Sequence, residues 1–374
     1  MEYKIALIKG DGIGPEITKE AVKVLNTIGD IYGHKFEFNE VIGAGEAVDK
    51  CGDPLPEESL QACLESDSVM IGNLGGKKWD KNPLEKKPVK AIFKIREALN
   101  VSTNIRPITL RKGLEELSPL KSRIIEKGMD VIVVRDIAGG MLCAQKESGV
   151  GMFGREASDL EYYNEEIIRK SALRALNLAK ERRQIVSSID KSNVLASSML
   201  WKEIVNETSK HYPDIKIKHH LVDNAAMEVI LEPYKFDVIV TSNMFGDILA
   251  DELSQITGTA SMLPSAEVDC NGKGLYTPNQ LHHPDESIIG LDRANPIGMI
   301  TSAALMLRYS FGLVEEAEAI ENAVDSVIEC GYATEDIYTE GKILVGTEAM
   351  GNLIAKYLNK LSNDSYKLYN KKVI

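Results

Sequence analysis

Short apolar runs alternate with amphipathic segments along most of this chain. That alternation confines it to an α/β fold whose sheet is largely parallel. Lys4–Lys9, Phe36–Val41, Ser68–Gly72, Asp130–Arg135, Gln184–Ile189, Lys216–Val222 and Phe236–Thr241 read as strands. Pro15–Ile28, Glu57–Ser66, Ala91–Leu99, Glu165–Arg183, Asn193–Ser209 and Asn224–Glu232 carry the helical period between them. The last third is mostly helical, over Ile297–Phe311, Leu313–Cys330 and Thr347–Leu361. Lys77–Lys90, with Pro83 and Pro88, reads as a loop, and the glycine-rich stretch of about 146–160 as a projecting arm. A length of 374 residues suggests two domains, yet no repeat or linker divides the chain cleanly.

Two stretches invite a ligand. The strand Phe236–Thr241 runs into a turn at Ser242, Asn243 and Gly246, after which Asp247 opens a helix with Ile248, Leu249, Leu253 and Ile256 on its core side. Asp247 and Asp251 are four apart and therefore stack on one helix face. A hard divalent cation would relieve their repulsion; equally, both acids favour the positive end of the helix dipole. Near the N-terminus, Gly10-Asp11-Gly12-Ile13-Gly14-Pro15-Glu16 joins a strand to a helix, with Pro15 suited to the first helical turn. Its G-x-G-x-G spacing differs from the dinucleotide fingerprint, so an anion site at the helix start and a plain βα turn both remain open.

Composition narrows the partners. A formal charge of −12 argues against nucleic acid, and no apolar run is long enough to span a membrane. Met1–Ile8 enters a strand at once, without the layout of a signal peptide. Five scattered cysteines suit a reducing cytoplasm and thiols rather than disulfides. An anionic substrate would need a local cluster of arginines.

Several motifs follow one another in order: the glycine loop at 10–16, Arg96 with Arg106-Pro107, Val134-Arg135-Asp136, Ser188–Leu195, Val222–Met227, Asn243–Asp251, Met262–Ala266 and Ala294-Asn295-Pro296. With them the chain resembles the β-decarboxylating dehydrogenases over nearly its whole length, most closely the isopropylmalate branch of the isocitrate/isopropylmalate dehydrogenase family. The resemblance implies a two-domain fold on a continuous mixed, largely parallel β-sheet flanked by helices. One domain would combine 1–102 with 258–374, and the other would span 103–257 with the arm. It implies oxidative decarboxylation of an isopropylmalate-like 2-hydroxy diacid with NAD as hydride acceptor. Arg96, Arg106 and Arg135 match carboxylate-binding arginines, whose planar forks suit that task; lone arginines otherwise form surface ion pairs. Lys191 matches the catalytic lysine, with Asp223 near it, and is an ordinary solvated lysine without that pattern. Asp223, Asp247 and Asp251 match the ligands of Mg2+ or Mn2+, although Asp223 alone would read as a helix cap. Lys191 and Asp223 are expected from the partner subunit, which implies a homodimer with shared active sites. Ile13, Asn193, Asp285 and Asn295 match cofactor-binding positions; Ile92 and Phe93 suggest an apolar pocket for the substrate side group, where Lys94 would admit an acid, yet each could equally be helix packing.

Two parts depart from the family pattern. Leu142 stands where the family places a proton-donating tyrosine, and Val89 where it places an acid near the nicotinamide. The adenosine loop reads Thr277-Pro278-Asn279-Gln280-Leu281-His282-His283-Pro284-Asp285-Glu286 in place of small residues. The losses fall on the proton donor and the cofactor side. They leave two alternatives to the dehydrogenase: a non-redox, metal-dependent lyase or decarboxylase on an oxo acid, and an impaired binding or regulatory homologue.

Overall fold

In a computed structural model of the chain, the structure describes residues 1–269, 271–279, 281 and 286–372, with side chains to 360. In chain order the elements are β1 (Glu2–Ile8), α1 (Gly14–Tyr32), β2 (Lys35–Glu40), α2 (Ala44–Cys51), α3 (Glu57–Glu65), β3 (Ser68–Ile71) and α4 (Lys90–Leu99). Then come β4 (Thr103–Thr109), α5 (Ser122–Ile125), β5 (Asp130–Asp136), β6 (Lys146–Gly151), β7 (Gly154–Asp159), α6 (Glu165–Lys180), β8 (Ile185–Asp190) and α7 (Ala196–Ser209). These are followed by β9 (Lys216–Leu221), α8 (Val222–Leu231), β10 (Val238–Thr241), α9 (Asn243–Ile256), β11 (Pro264–Val268), β12 (Gly274–Pro278), α10 (Ile297–Tyr309), α11 (Val314–Glu329) and α12 (Thr347–Lys372). The helix α2 was not foreseen in the sequence. The loop at 77–90 carries two short 3-10 turns, Lys77–Trp79 and Leu84–Lys86.

The chain divides into two compact units. The first contains 1–100, 111–117 and 258–374, and the second 101–110 and 118–257. The first unit orders its strands β2-β1-β3-β12-β11, parallel except for the antiparallel pair β11–β12. The second orders them β4-β5-β10-β8-β9, parallel except for β4–β5. The fold is thus α/β, with mixed and mostly parallel strands flanked by helices.

Local chemistry explains the elements. Strands β3 and β10 are buried at every position, which is why their sequences are continuously apolar rather than alternating. In α1, Ile17, Ala21, Val24, Leu25 and Ile28 form the buried stripe, and the helix ends where Gly33 takes a φ of 74°. Helix α10 is buried from Ile297 to Leu307 and accordingly has no polar stripe. The arm is an antiparallel hairpin, β6 with β7, whose tip residues Met152 and Phe153 are exposed. Among the described residues no helix is long and apolar enough to cross a membrane.

The glycine loop is organised by the chain's own backbone. Gly10 has a φ of 77°, and a Cβ there would overlap the Asn73 carbonyl oxygen. Asp11 is buried and accepts N–H bonds from Gly45 at 2.9 Å and Gly75 at 2.7 Å, so it ties the loop to two other turns. Replacing Gly10 with Ala therefore meets both a left-handed φ and a steric block. We expect a cost of about 2–4 kcal/mol in urea unfolding. Gly33→Ala, at a φ of 74° with nothing within 4 Å, serves as the control and costs about 1–2 kcal/mol. Equal losses would show that close packing does not fix Gly10.

Candidate active site

Parallel strands bring their carboxyl ends to one edge, and ligands of α/β sheets bind there. In the second unit Thr241 pairs with Arg135 on one side and with Ile189 on the other, while Asp190 pairs with Leu221. The residues that leave these strands are therefore Arg135 and Asp136, Lys191, Asp223 and the start of α9. The antiparallel β4 adds Arg106, paired with Val133.

The first cluster joins β4, β5 and α9. Arg135 forms an ion pair with Asp247, and Arg106 approaches Asp247 at 3.4 Å and Asp251 at 3.6 Å. The Oδ1 atom of Asn243 accepts from Arg135 Nε at 3.1 Å and NH2 at 2.8 Å, which fixes the guanidinium plane. Asn243 Nδ2 donates to the Gly139 carbonyl at 2.9 Å. Its backbone N–H donates to the Tyr163 hydroxyl at 2.8 Å, and that hydroxyl also bonds the buried Asp136. Burial pushes the Asp136 carboxyl up to about 6, against the backbone N–H groups of Gly139 and Ala138, and it drives the Tyr163 phenol upward too.

Sequence reading placed Asn243 and Gly246 in a turn before the helix. Instead α9 begins at Asn243 and includes Gly246. A Cβ on Gly246 would lie 2.8 Å from Arg135 Cβ and Cγ, so this glycine lets the arginine cross the first turn. Leu249, Leu253 and Ile256 face the core as expected, but Ile248 is exposed.

The second cluster is Lys191, whose Nζ donates to Asp223 Oδ1 at 2.8 Å and holds that carboxyl below the usual carboxylate range. Asn193 lies exposed in the loop that follows Lys191. Among the described residues no three His, Cys, Asp or Glu side chains gather as a metal site.

In the first unit Arg96 lies in the last turn of α4 and is gripped by Glu267 of β11. Phe93 is half-exposed, with its ring 5.2 Å from the Arg96 guanidinium carbon. Ile92 is 1 % exposed. It lies on the buried side of α4. Lys94 is held by Asp53 at 2.7 Å. A cavity of about 330 Å³ in this unit is lined by Ile13, Asn295, Arg293, Glu335 and Asp336, among others. Asn295 donates to Asp336 at 3.1 Å and accepts from the Ile297 N–H at 3.0 Å, and Arg293 is paired with Glu335. Asp285, His282 and His283 lie outside the described residues. Leu142 is exposed and has no proton to give. Asn243, Tyr163, Asp136 and Glu267 were missed in the sequence. Only Glu267 left a signal there, as a lone acid in an apolar strand.

A family model described as isocitrate/isopropylmalate dehydrogenase matches residues 4–354. The 3-isopropylmalate dehydrogenase of Clostridium acetobutylicum is 47% identical over 353 residues, covering 94% of this chain and 98% of that protein. The 3-isopropylmalate dehydrogenase of Aquifex aeolicus is 44% identical, covering 98% and 99%. Among solved structures, isocitrate dehydrogenase from Methylococcus capsulatus superposes with a TM-score of 0.83 at 28% identity, covering 95% of this chain and 99% of that one. A β-decarboxylating dehydrogenase from Thermococcus kodakarensis gives 0.77 at 27% identity, covering 96% and 97%.

The network under Arg135 makes stability depend on pH. Asp136 holds its proton to about pH 6 when folded, and an unfolded aspartate holds it only to about 4. The protonated form is thus favoured by folding, and that contribution is complete below pH 4 and lost as pH rises through 6. Asp136→Asn should flatten the fall in unfolding free energy between pH 4 and 6, measured by urea titration at each pH. An unchanged profile would remove Asp136 as its source.

Proposed function

Because the chain belongs to the isocitrate/isopropylmalate dehydrogenase family, we propose that it catalyses β-decarboxylating dehydrogenation of a 3-isopropylmalate-type 2-hydroxy diacid with NAD as acceptor. The observation that carries this reading is the pairing of Arg106 and Arg135 with Asp247 and Asp251 at the carboxyl edge of the strands. There, two cationic forks for carboxylates adjoin two hard oxygen donors.

The donor set fits a divalent cation of the Mg2+ or Mn2+ class: Asp247 and Asp251 lie one turn apart, with arginines balancing their charge. The 330 Å³ cavity, lined by Ile13 and Asn295, fits a nucleoside-sized group. When bound, the cation would stabilise negative charge on the substrate oxygen and the nicotinamide would accept the hydride. Arg106 and Arg135 hold the carboxylates in place. Lys191 Nζ takes the hydroxyl proton, and Asp223 orients that amine. Since Asp223 does not gather with Asp247 and Asp251 among the described residues, we assign the Lys191–Asp223 pair to the site of a second copy, which makes the working form a homodimer. With Leu142 in the tyrosine position, the enolate left after loss of carbon dioxide takes its proton from another donor. The absence of a disulfide among the described residues supports a reducing compartment such as the cytoplasm.

The test is direct. Purified protein with Mg2+, 3-isopropylmalate and NAD should produce NADH and carbon dioxide, and Lys191→Met should lower kcat by roughly 10²–10⁴. Asp251→Asn should raise the Mg2+ concentration needed for half-maximal rate at least tenfold. Leu142 favours one second reading, a non-redox decarboxylase. Carbon dioxide release from an oxo acid, together with no binding of NAD and no NADH from any 2-hydroxy diacid, would establish that reading and sink the first.

A further inference from the structure

Strand β8 carries polar residues into the interior of the second unit. Ser188 pairs with His219 of β9, so the two face the same side of the sheet, and Asp190, two places on, faces it too. Helix α7 covers that side: Asn206 Oδ1 lies 2.8 Å from His219 Nε2, and the charge of Lys202 acts on the same ring. Trp201 is on the buried side of this helix, with Ser197 one turn before it. Ser188 is 0 %, Trp201 1 % and Asp190 2 % exposed. Yet Ser188 Oγ, Asp190 Oδ2, Ser197 Oγ, Trp201 Nε1 and His219 Nδ1 have no hydrogen-bond partner among the described residues. Buried polar atoms are nearly always paired, with protein or with ordered water.

The chemistry of these atoms selects the ligand. Trp201 offers only a donor, and a carboxylate oxygen of Asp190 only accepts. Burial pushes His219 below the ordinary imidazole range, with Lys202 in the same sense and Asp190 against it. In the neutral ring the Nε2 proton goes to Asn206, which leaves Nδ1 as a second acceptor. A cation is opposed by the Trp201 N–H and by Lys202, and an anion by Asp190. Water both accepts and donates, and is small enough to be held among two to four polar groups. The other oxygen of Asp190 has a separate task. Its Oδ1 accepts the Ser192 N–H at 2.8 Å, and the Lys191 carbonyl accepts from Val194 at 3.1 Å and Leu195 at 3.0 Å. The turn that carries Lys191 is therefore anchored on one carboxylate oxygen, and what holds the second oxygen decides whether that anchor can rock.

We propose that a buried water molecule bonded to Asp190 Oδ2, Ser188, His219 and Trp201 ties β8 to β9 and α7, and that through it Asp190 is a positioning residue for Lys191. The role at Lys191 rests on the dehydrogenase reading above; the water site stands without it.

Crystal structures and kinetics of the full chain and two variants test both parts. Asp190→Asn keeps Oδ1 and hence the turn, but its amide N–H meets the water where an acceptor is needed. Ser188→Val fills the water's place with methyl groups and leaves Asp190 intact; Ser188→Ala serves if the valine does not fold. The parent should show an ordered water within about 3.2 Å of both Asp190 Oδ2 and Trp201 Nε1, and Asp190→Asn and Ser188→Val should lose it. With 3-isopropylmalate, Mg2+ and NAD, these variants should lose kcat by roughly 10–100-fold at unchanged KM, since a displaced base is felt in the reacting complex and not in substrate binding. Absence of that water from the parent overturns the site. A kcat within twofold of the parent in Asp190→Asn overturns the positioning role, and so does a loss that comes with a raised KM and a lowered Tm, which marks a merely structural residue. If the parent oxidises no 2-hydroxy diacid, the dehydrogenase reading has failed and the crystal structures decide alone: a Lys191–Asp223 contact in the same place with and without the water then overturns the role of Asp190.

Discussion

The second unit depends on the side chain of Asn243. One amide holds the Arg135 guanidinium through its oxygen and the Gly139 carbonyl through its nitrogen, while the backbone N–H of the same residue ends on Tyr163. An amide can do this because it offers acceptor and donor on one rigid plane. The first N–H of α9 and the carboxyl end of β5 are thereby satisfied together. Arg135, Asp247 and the loop at 136–140 share one geometry, so none can shift without breaking a buried hydrogen bond.

Much of this was legible in the sequence. Continuous apolar strands and amphipathic helices pointed to the α/β class, because burial on two faces or on one stripe leaves a direct mark on residue order. Asp247 and Asp251 were found by helical spacing, and Arg106 and Arg135 through the motifs that carry the family resemblance. What stayed hidden depends on partners distant in sequence. Nothing near Asn243 announces that it meets Gly139, and Gly246 reads as a turn residue until Arg135 is seen lying across it. Ile248 was assigned to the core by spacing alone and is exposed, since periodicity fixes a face but not what covers it. Ile92 is buried in α4, and spacing alone left both a pocket and packing open for it.

The two units differ in how their polar groups are used. In the second, the charged side chains lie near one another at the strand ends, and Asp247 and Asp251 stay open to solvent even while ion-paired. In the first, polar groups are committed to separate partners: Asp11 and Arg96 are bonded in the interior, to the N–H groups of neighbouring turns and to Glu267, while Lys94 with Asp53 and Arg293 with Glu335 pair nearer the surface and Asn295 bonds Asp336. Such commitments preorganise a surface, and they also narrow what it can accept, since an arriving ligand must match bonds already made.

Gly246 shows how closely folding and chemistry are bound in this chain. The smallest enlargement possible there is one methyl group, and it would fall on the stem of Arg135. Drift at position 246 is therefore barred by volume before reactivity is even tested. Asp247, one residue on, could change with little strain and would be weeded out only through lost turnover. Adjacent positions are thus policed by different filters, one steric and one chemical. A mutational survey scored for abundance alone would register the first and pass over the second.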